Sequence, residues 1–261
     1  MNDRRSVDDL ITAVPGEWKF DRQVSDSFDD HVRKSVPLYD EIQRMIVEMS
    51  EWFIRDGSTV YDIGSSTGET ISLLSEKHQS KTDVKYFGLD TSASMIETAG
   101  KKCDSGNVQF IQQNVIEQRS FRGADMVLSL YTLQFVPVKY RLTVLKSIFR
   151  DLSENGCFIL VEKVRSEHSF LEDMWLSLHW DFKKRSGLTD NMILEKERSL
   201  RGVLVPLTLE QNQDLLSRAG FRHMEVFCKW FNFAGIIAMK SESVPAGKGF
   251  LDLLKNRLKP R

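Results

Sequence analysis

Apolar positions change their spacing along the chain, and the change divides it. Between residues 18 and 54, in WKFDRQVSDSFDDHVRKSVPLYDEIQRMIVEMSEWFI, they recur every three to four residues, which predicts helices over 24–35 and 38–54 separated by Pro37. From Ser58 onward short apolar runs alternate with amphipathic stretches. Strands are predicted at 59–63, 84–89, 107–112, 125–131 and 156–163, and helices at 67–77, 92–103 and 137–152. Helices over 166–186 and 190–201 interrupt the alternation, which resumes with helix 208–218 and strands 222–230 and 233–240. Such alternation calls for a mostly parallel sheet covered by helices on both faces.

The ending refines the fold class. HMEVFCKW and NFAGIIAMK are separated by too little chain for a crossover, so they pair as an antiparallel hairpin. Seven strands closing in such a hairpin resemble the α/β, Rossmann-like sheet of class I S-adenosylmethionine-dependent methyltransferases rather than a dehydrogenase. On that reading residues 1–57 are an N-terminal helical extension, 58–240 a cofactor-binding domain with a helical insertion over 164–205, and 241–261 a tail.

The first strand runs into a glycine turn, TVYDIGSSTGETISLL, that opens onto a helix. Gly64 and Gly68 bracket Ser65, Ser66 and Thr67 without the GxGxxG that brings backbone against a pyrophosphate, so the loop suits a ligand without phosphates. The first amides of the helix suit an amino-acid carboxylate. Asp90 ends the next strand, 26 positions after Gly64, where a βαβ unit delivers an acid to ribose hydroxyls; the alternative is an N-cap for the helix starting at Ser92. Asp62 is read equally as the acceptor for a methionyl ammonium and as a cap for the turn. Asn114 follows the third strand, where it would meet the adenine amino group or lie in a polar loop. SLYTLQFV ends the fourth strand at the floor expected for a sulfonium pocket, although Tyr131, Leu133 and Phe135 also suit a plain core.

Composition narrows the function class. With 261 residues, 41% hydrophobic, 28% charged and a net charge of −1, the chain has no dominant nucleic-acid footprint. Cys103, Cys157 and Cys228 are far apart, which argues against a zinc site and a disulfide scaffold and suits a reduced, cytoplasmic protein. No window matches a signal peptide or a bilayer span, so neither metal nor membrane is expected. The basic, apolar tail from Lys248 to Arg261 reads as a frayed terminus or a small partner-binding helix.

A wider set of segments resembles one branch of this fold: GEWKFD, SVPLYD, VYDIGSSTG, LDTSASMIE, TLQFV, VEKV, HWDFKK, KERS, LVPLT, AGF and FNFAGIIAMK, spread over residues 16–240. They are similar to the carboxy-S-adenosyl-L-methionine synthase family, which converts S-adenosylmethionine and prephenate into carboxy-S-adenosylmethionine and phenylpyruvate for tRNA wobble-uridine modification. The resemblance implies S-adenosylmethionine or its carboxylated form at Tyr39, Asp62, Gly64, Ser65, Ser66, Asp90, Thr91, Asn114, Val115 and Leu130. It also implies that Arg198 pairs with the new carboxylate, that a small acid is the second substrate, and that the chain is a homodimer. Taken without that resemblance, Arg198 is an exposed side chain on a charged helix beside Glu195 and Glu197. Four positions depart from the family pattern: Ser65 for cysteine, Asn114 for aspartate, Leu130 for asparagine and Trp180 for a second histidine. The competing readings are a conventional small-molecule methyltransferase and a non-catalytic binder of carboxy-S-adenosylmethionine.

Overall fold

The computed structural model describes residues 28–118 and 120–240. GEWKFD, the start of the helix expected at 24 and the tail 241–261 lie outside the described residues. Helices α1 (Phe28–Ser35) and α2 (Tyr39–Ser50) precede β1 (Thr59–Ile63), α3 (Glu69–Lys77), β2 (Lys85–Asp90), α4 (Ala93–Lys102) and β3 (Val108–Gln112). Then follow β4 (Ala124–Leu130), a 3-10 turn at Leu133–Phe135, α5 (Val138–Asp151) and β5 (Leu152–Arg165). The insertion carries α6 (Ser169–Arg185) and α7 (Asp190–Ser199), and the chain continues through β6 (Leu207–Thr208), α8 (Leu209–Ala219), β7 (His223–Trp230) and β8 (Phe233–Met239).

The sheet runs β3-β2-β1-β4-β5-β8-β7, and β8 is antiparallel to both its neighbours. The expected hairpin is therefore present, with Trp230 opposite Phe233. One strand more is described than expected: the two-residue β6 pairs with the end of β5, outside the main order. Strand order reverses between β1 and β4, whose carboxyl ends flank the crevice where open α/β sheets bind ligands.

Central strands are apolar on both sides because helices cover both faces. Cys157 to Val161 of β5 are all buried. One core layer joins Ile63, Leu89 and Val127 to α5 and α8 through Val144, Leu145, Ile148 and Leu216. The other joins Val60, Leu128 and Ile159 to α2 and α3 through Ile42, Ile46, Ile71 and Leu74. Burying Ile42 and Ile46 contributes roughly 1.5–3 kcal/mol each, enough to bind the helical preface firmly to the sheet.

Several boundaries differ from expectation for local reasons. α3 starts at Glu69 rather than 67 because Ser66 (φ 50°) and Gly68 (φ 78°) are left-handed, a conformation no α-helix accommodates. α2 stops at Ser50, whose hydroxyl donates to Val47 O while Trp52 and Phe53 tighten into three-residue turns. α8 begins with a reciprocal capping box between Thr208 and Gln211.

Candidate active site

The glycine turn is built by close approach. Gly64 (φ 72°) donates its amide to Leu89 O at 2.7 Å, and a Cβ placed on it would lie 2.1 Å from Thr132 Oγ1. Glycine is thus required twice at this position, for its dihedral and for its lack of volume. Asp29 of α1 accepts from Thr67 Oγ1 at 2.6 Å, and Arg33 and Lys102 reach Glu69 at 3.5 and 2.8 Å. These contacts lock the helical preface across the loop and bring Tyr39 to the same space. Leu38, left-handed at φ 56°, turns the chain into α2 at that point.

A cavity of about 540 Å³ opens here, lined by β1, β2, β3 and β4 ends together with α1, α2, α6 and α7. Tyr39, Asp62, Gly64, Ser65, Ser66, Asp90, Thr91, Asn114, Val115 and Leu130 all line it.

Its acidic half lies at β1 and β2. Asp62 is buried and its Oδ1 has no hydrogen-bond partner; burial, then the nearby Asp90 charge, raises its carboxyl to about 7. That oxygen does not cap the turn. Asp90 accepts from Ser66 N at 3.0 Å and Ser92 N at 2.9 Å, so it braces the loop, while the cap of α4 is the Ser92 hydroxyl, accepting from Met95 N. Ser65 Oγ is likewise buried and unpartnered beside the cavity. Asn114 Oδ1 accepts from Ile116 N at 3.0 Å, an Asx turn that shapes the loop.

The far wall is aromatic. Tyr131, left-handed at φ 57°, sits 6.3 Å from the Tyr39 ring and 6.1 Å from Phe233 between ring centroids. Its hydroxyl is buried without a partner, and burial raises it well above the ordinary range. Buried Glu162 lies against the amides of Thr132, Leu133 and Gln134, which favour its ionised form, while its Oε1 has no hydrogen-bond partner; Arg141 donates to the carbonyls of Gln134, Val136 and Val205. Burial outweighs Arg141 and these amides, lifting Glu162 to about 8. Leu130 lines the cavity and packs on the core below it.

Sequence reasoning missed the third side, formed by Lys163, Lys183, Lys196, His31 and His179. HWDFKK and EKERS carried the signal only as motifs, without a direction for each side chain. Arg198 is where expectation and structure part. Its side chain is 47% exposed, donates to Glu195 at 3.1 Å and does not line the cavity. Positions two apart on a helix face nearly opposite ways, so Lys196 and Leu200 face inward and Arg198 outward. Trp180 is also turned outward, donating to Glu197 at 2.6 Å.

The donor set fits S-adenosylmethionine. The buried, unpartnered Asp62 Oδ1 suits its ammonium, Asp90 lines the cavity at the end of β2, where a βαβ unit presents an acid suited to ribose hydroxyls, and small residues allow close approach to its carboxylate. Among the described residues no group of three or more His, Cys, Asp or Glu is arranged to hold a metal, and no helix is long and apolar enough to cross a membrane.

Comparison with known proteins agrees with this geometry. Residues 60–156 match the methyltransferase domain family. Over 227 residues the chain is 38% identical to the carboxy-S-adenosyl-L-methionine synthase of Staphylococcus epidermidis, covering 87% of this chain and 98% of that protein. The protein of the same name from Sulfurimonas denitrificans is 36% identical over 241 residues, 92% of this chain and 100% of that one. Among solved structures, human N-acetylserotonin methyltransferase in complex with S-adenosylmethionine superposes with a TM-score of 0.58 at 15% identity, over 92% of this chain and 64% of that one. An O-methyltransferase family protein from Burkholderia thailandensis gives 0.57 at 15% identity, over 85% and 60%. The chain spans less than two thirds of either solved structure, and at such identity they establish the fold alone. Identity of more than a third over nearly the full length of both chains, on that same fold, means that this protein belongs to the carboxy-S-adenosyl-L-methionine synthase family.

Proposed function

We propose that this S-adenosylmethionine-dependent transferase converts S-adenosylmethionine and prephenate into carboxy-S-adenosylmethionine, phenylpyruvate and water. The observation that carries this reading is the orphaned Asp62 oxygen beside Asp90 at the switch point, within a chain of this family. Asp62 would hold the methionyl ammonium, backbone from Gly64 to Ser66 its carboxylate, and Asp90 with Thr91 the ribose. Asn114 and Val115 would flank adenine. When bound, S-adenosylmethionine supplies a sulfonium that acidifies the neighbouring methyl, the carbon that takes up the carbon dioxide released by prephenate. Tyr39, Leu130, Tyr131 and Phe233 line the cavity and would enclose that carbon with mostly aromatic and aliphatic surface, which would keep water from competing. A cytoplasmic homodimer feeding tRNA wobble-uridine modification completes the proposal; family likeness is its sole support.

Incubation with both substrates should yield a cofactor heavier by one carbon dioxide. Conventional methyl transfer is the second reading, favoured by Leu130, which offers no amide to the cavity, and by outward-facing Trp180. S-adenosylhomocysteine together with a methylated acceptor would establish it instead.

A further inference from the structure

Two oxygens on the cavity wall share one condition. Gln43 Oε1 on α2 and Asp62 Oδ1 on β1 are both buried without a hydrogen-bond partner, and both residues line the cavity. The other partnerless carbonyl or carboxylate oxygens among the described residues, on Glu162 and Asn232, belong to side chains outside that lining. An amide carbonyl and an ionised carboxylate only accept hydrogen bonds, so a donor is what completes them.

The fold brings the pair to one side of the sheet. Side chains alternate along β1, so Asp62 shares the face of Val60, and Val60 packs in the core layer that holds Ile42 and Ile46 of α2. Gln43 lies in the buried stripe of α2, one turn after Tyr39 and beside Ile42 and Ile46, and is 3% exposed. Leucine or methionine would fill that position with no strongly polar atom to desolvate, so an amide is costly there unless a ligand completes it. The amide also lies against the Tyr39 hydroxyl, whose ionised form it favours, yet Oε1 stays unpaired. A further orphan of the lining, Ser65 Oγ, is 2.8 Å from where a Cβ on Gly88 would stand, which turns it toward β2 and away from this pair.

We propose that Gln43 Oε1 is the second acceptor for the ammonium of the cofactor's amino-acid moiety, sharing that group with Asp62. This rests on the cofactor placement proposed above and adds a residue of the helical preface to it. An ammonium carries three N–H donors, and each one left without an acceptor in a buried site costs binding free energy. A neutral amide supplies an acceptor without placing another negative charge beside Asp62 and Asp90. The preface thereby selects a nucleoside that carries an α-amino group over one that lacks it.

S-adenosylhomocysteine and its deamino analogue, in which hydrogen replaces the α-amino group, are the probes, titrated calorimetrically into the full chain at pH 8. Wild type should bind S-adenosylhomocysteine at least a hundredfold more tightly than the analogue. Gln43→Met, close to isosteric, should lose about tenfold in affinity for S-adenosylhomocysteine and less than twofold for the analogue, and Gln43→Leu should repeat the pattern. Wild type without the preference, variants that lose equally for both probes, or variants that bind S-adenosylhomocysteine as wild type does overturn the proposal. Asp62→Asn that narrows the preference while both Gln43 variants keep it overturns the part of Gln43 alone and leaves Asp62 in place. Ammonium recognition that depends on Gln43, in a protein that makes no carboxy-S-adenosylmethionine, upholds the proposal and overturns only the reaction.

Discussion

Asp62 and Asp90 lie near the carboxyl ends of two adjacent parallel strands, and only one of the two carboxylates is satisfied: Asp90 accepts the amides of Ser66 and Ser92, while Asp62 Oδ1 has no partner. Burial and the Asp90 charge hold Asp62 near 7, so it titrates in the neutral range in the ligand-free protein. A ligand ammonium favours the ionised form. S-adenosylmethionine affinity should therefore rise with pH, by about tenfold between pH 6 and 8, and level off above. Asp62→Asn should flatten that profile and weaken binding at pH 8, as read by calorimetric titration.

The same residue sets a stability trade. Its folded pKa lies above the unfolded value, so its contribution is present below about pH 4 and is lost as pH rises through 7. Above that point the buried charge destabilises the free protein. Ligand-free Asp62→Asn should be more stable than wild type at pH 8, by on the order of 1 kcal/mol, with the gain shrinking below pH 6. Denaturant unfolding at the two pH values checks the sign.

Gly64→Ala should be damaging from both sides. Its Cβ would overlap Thr132 Oγ1 at 2.1 Å, and its φ of 72° disfavours any side chain. A loss of about 2–5 kcal/mol is expected, from overpacking of about 1–3 kcal/mol and left-handed strain of about 1–2 kcal/mol. Adding Thr132→Ala removes the hydroxyl and methyl that clash, and thermal unfolding should show partial recovery.

Tyr131 separates stability from function. An unpartnered buried hydroxyl costs free energy, so Tyr131→Phe should unfold at the same temperature or higher. If the hydroxyl serves the ligand, carboxy-S-adenosylmethionine formation should fall at least tenfold in the same variant. Equal turnover would show that only the ring is used.

Glu162 is the post that holds the turn after β4. Replacing it with alanine removes the carboxylate that faces the amides of Thr132 to Gln134, for a loss on the order of 1–3 kcal/mol. Glu162→Gln, which keeps an acceptor, should cost less, and both should weaken S-adenosylmethionine binding through the displaced Tyr131. Chemical denaturation and ligand titration measure the two effects.

What was legible in the chain followed from periodicity and chain direction. Alternating apolar runs gave the parallel sheet, and the short link between Trp230 and Phe233 required the hairpin. Gly64, Asp90 and Asn114 were readable because each sits at a strand end, where topology alone brings it to the crevice. Side-chain direction on the inserted helices was not readable, since α7 is polar on most of its surface and its phase depends on what it packs against. Lys196 and Arg198 show the consequence: two cations two positions apart, one inside and one outside. Glu162 and Arg141 were invisible for another reason, because buried ionic residues within apolar strands and helices leave no periodic mark.

The carbon gained by the cofactor should come from the acid. Prephenate labelled with carbon-13 in its ring carboxylate, incubated with the protein and unlabelled S-adenosylmethionine, tests it by mass spectrometry of the nucleoside product. Carboxy-S-adenosylmethionine carrying the label, formed in step with phenylpyruvate, is the expected result. Label found only in bicarbonate, with S-adenosylmethionine unchanged or converted to S-adenosylhomocysteine, would contradict it.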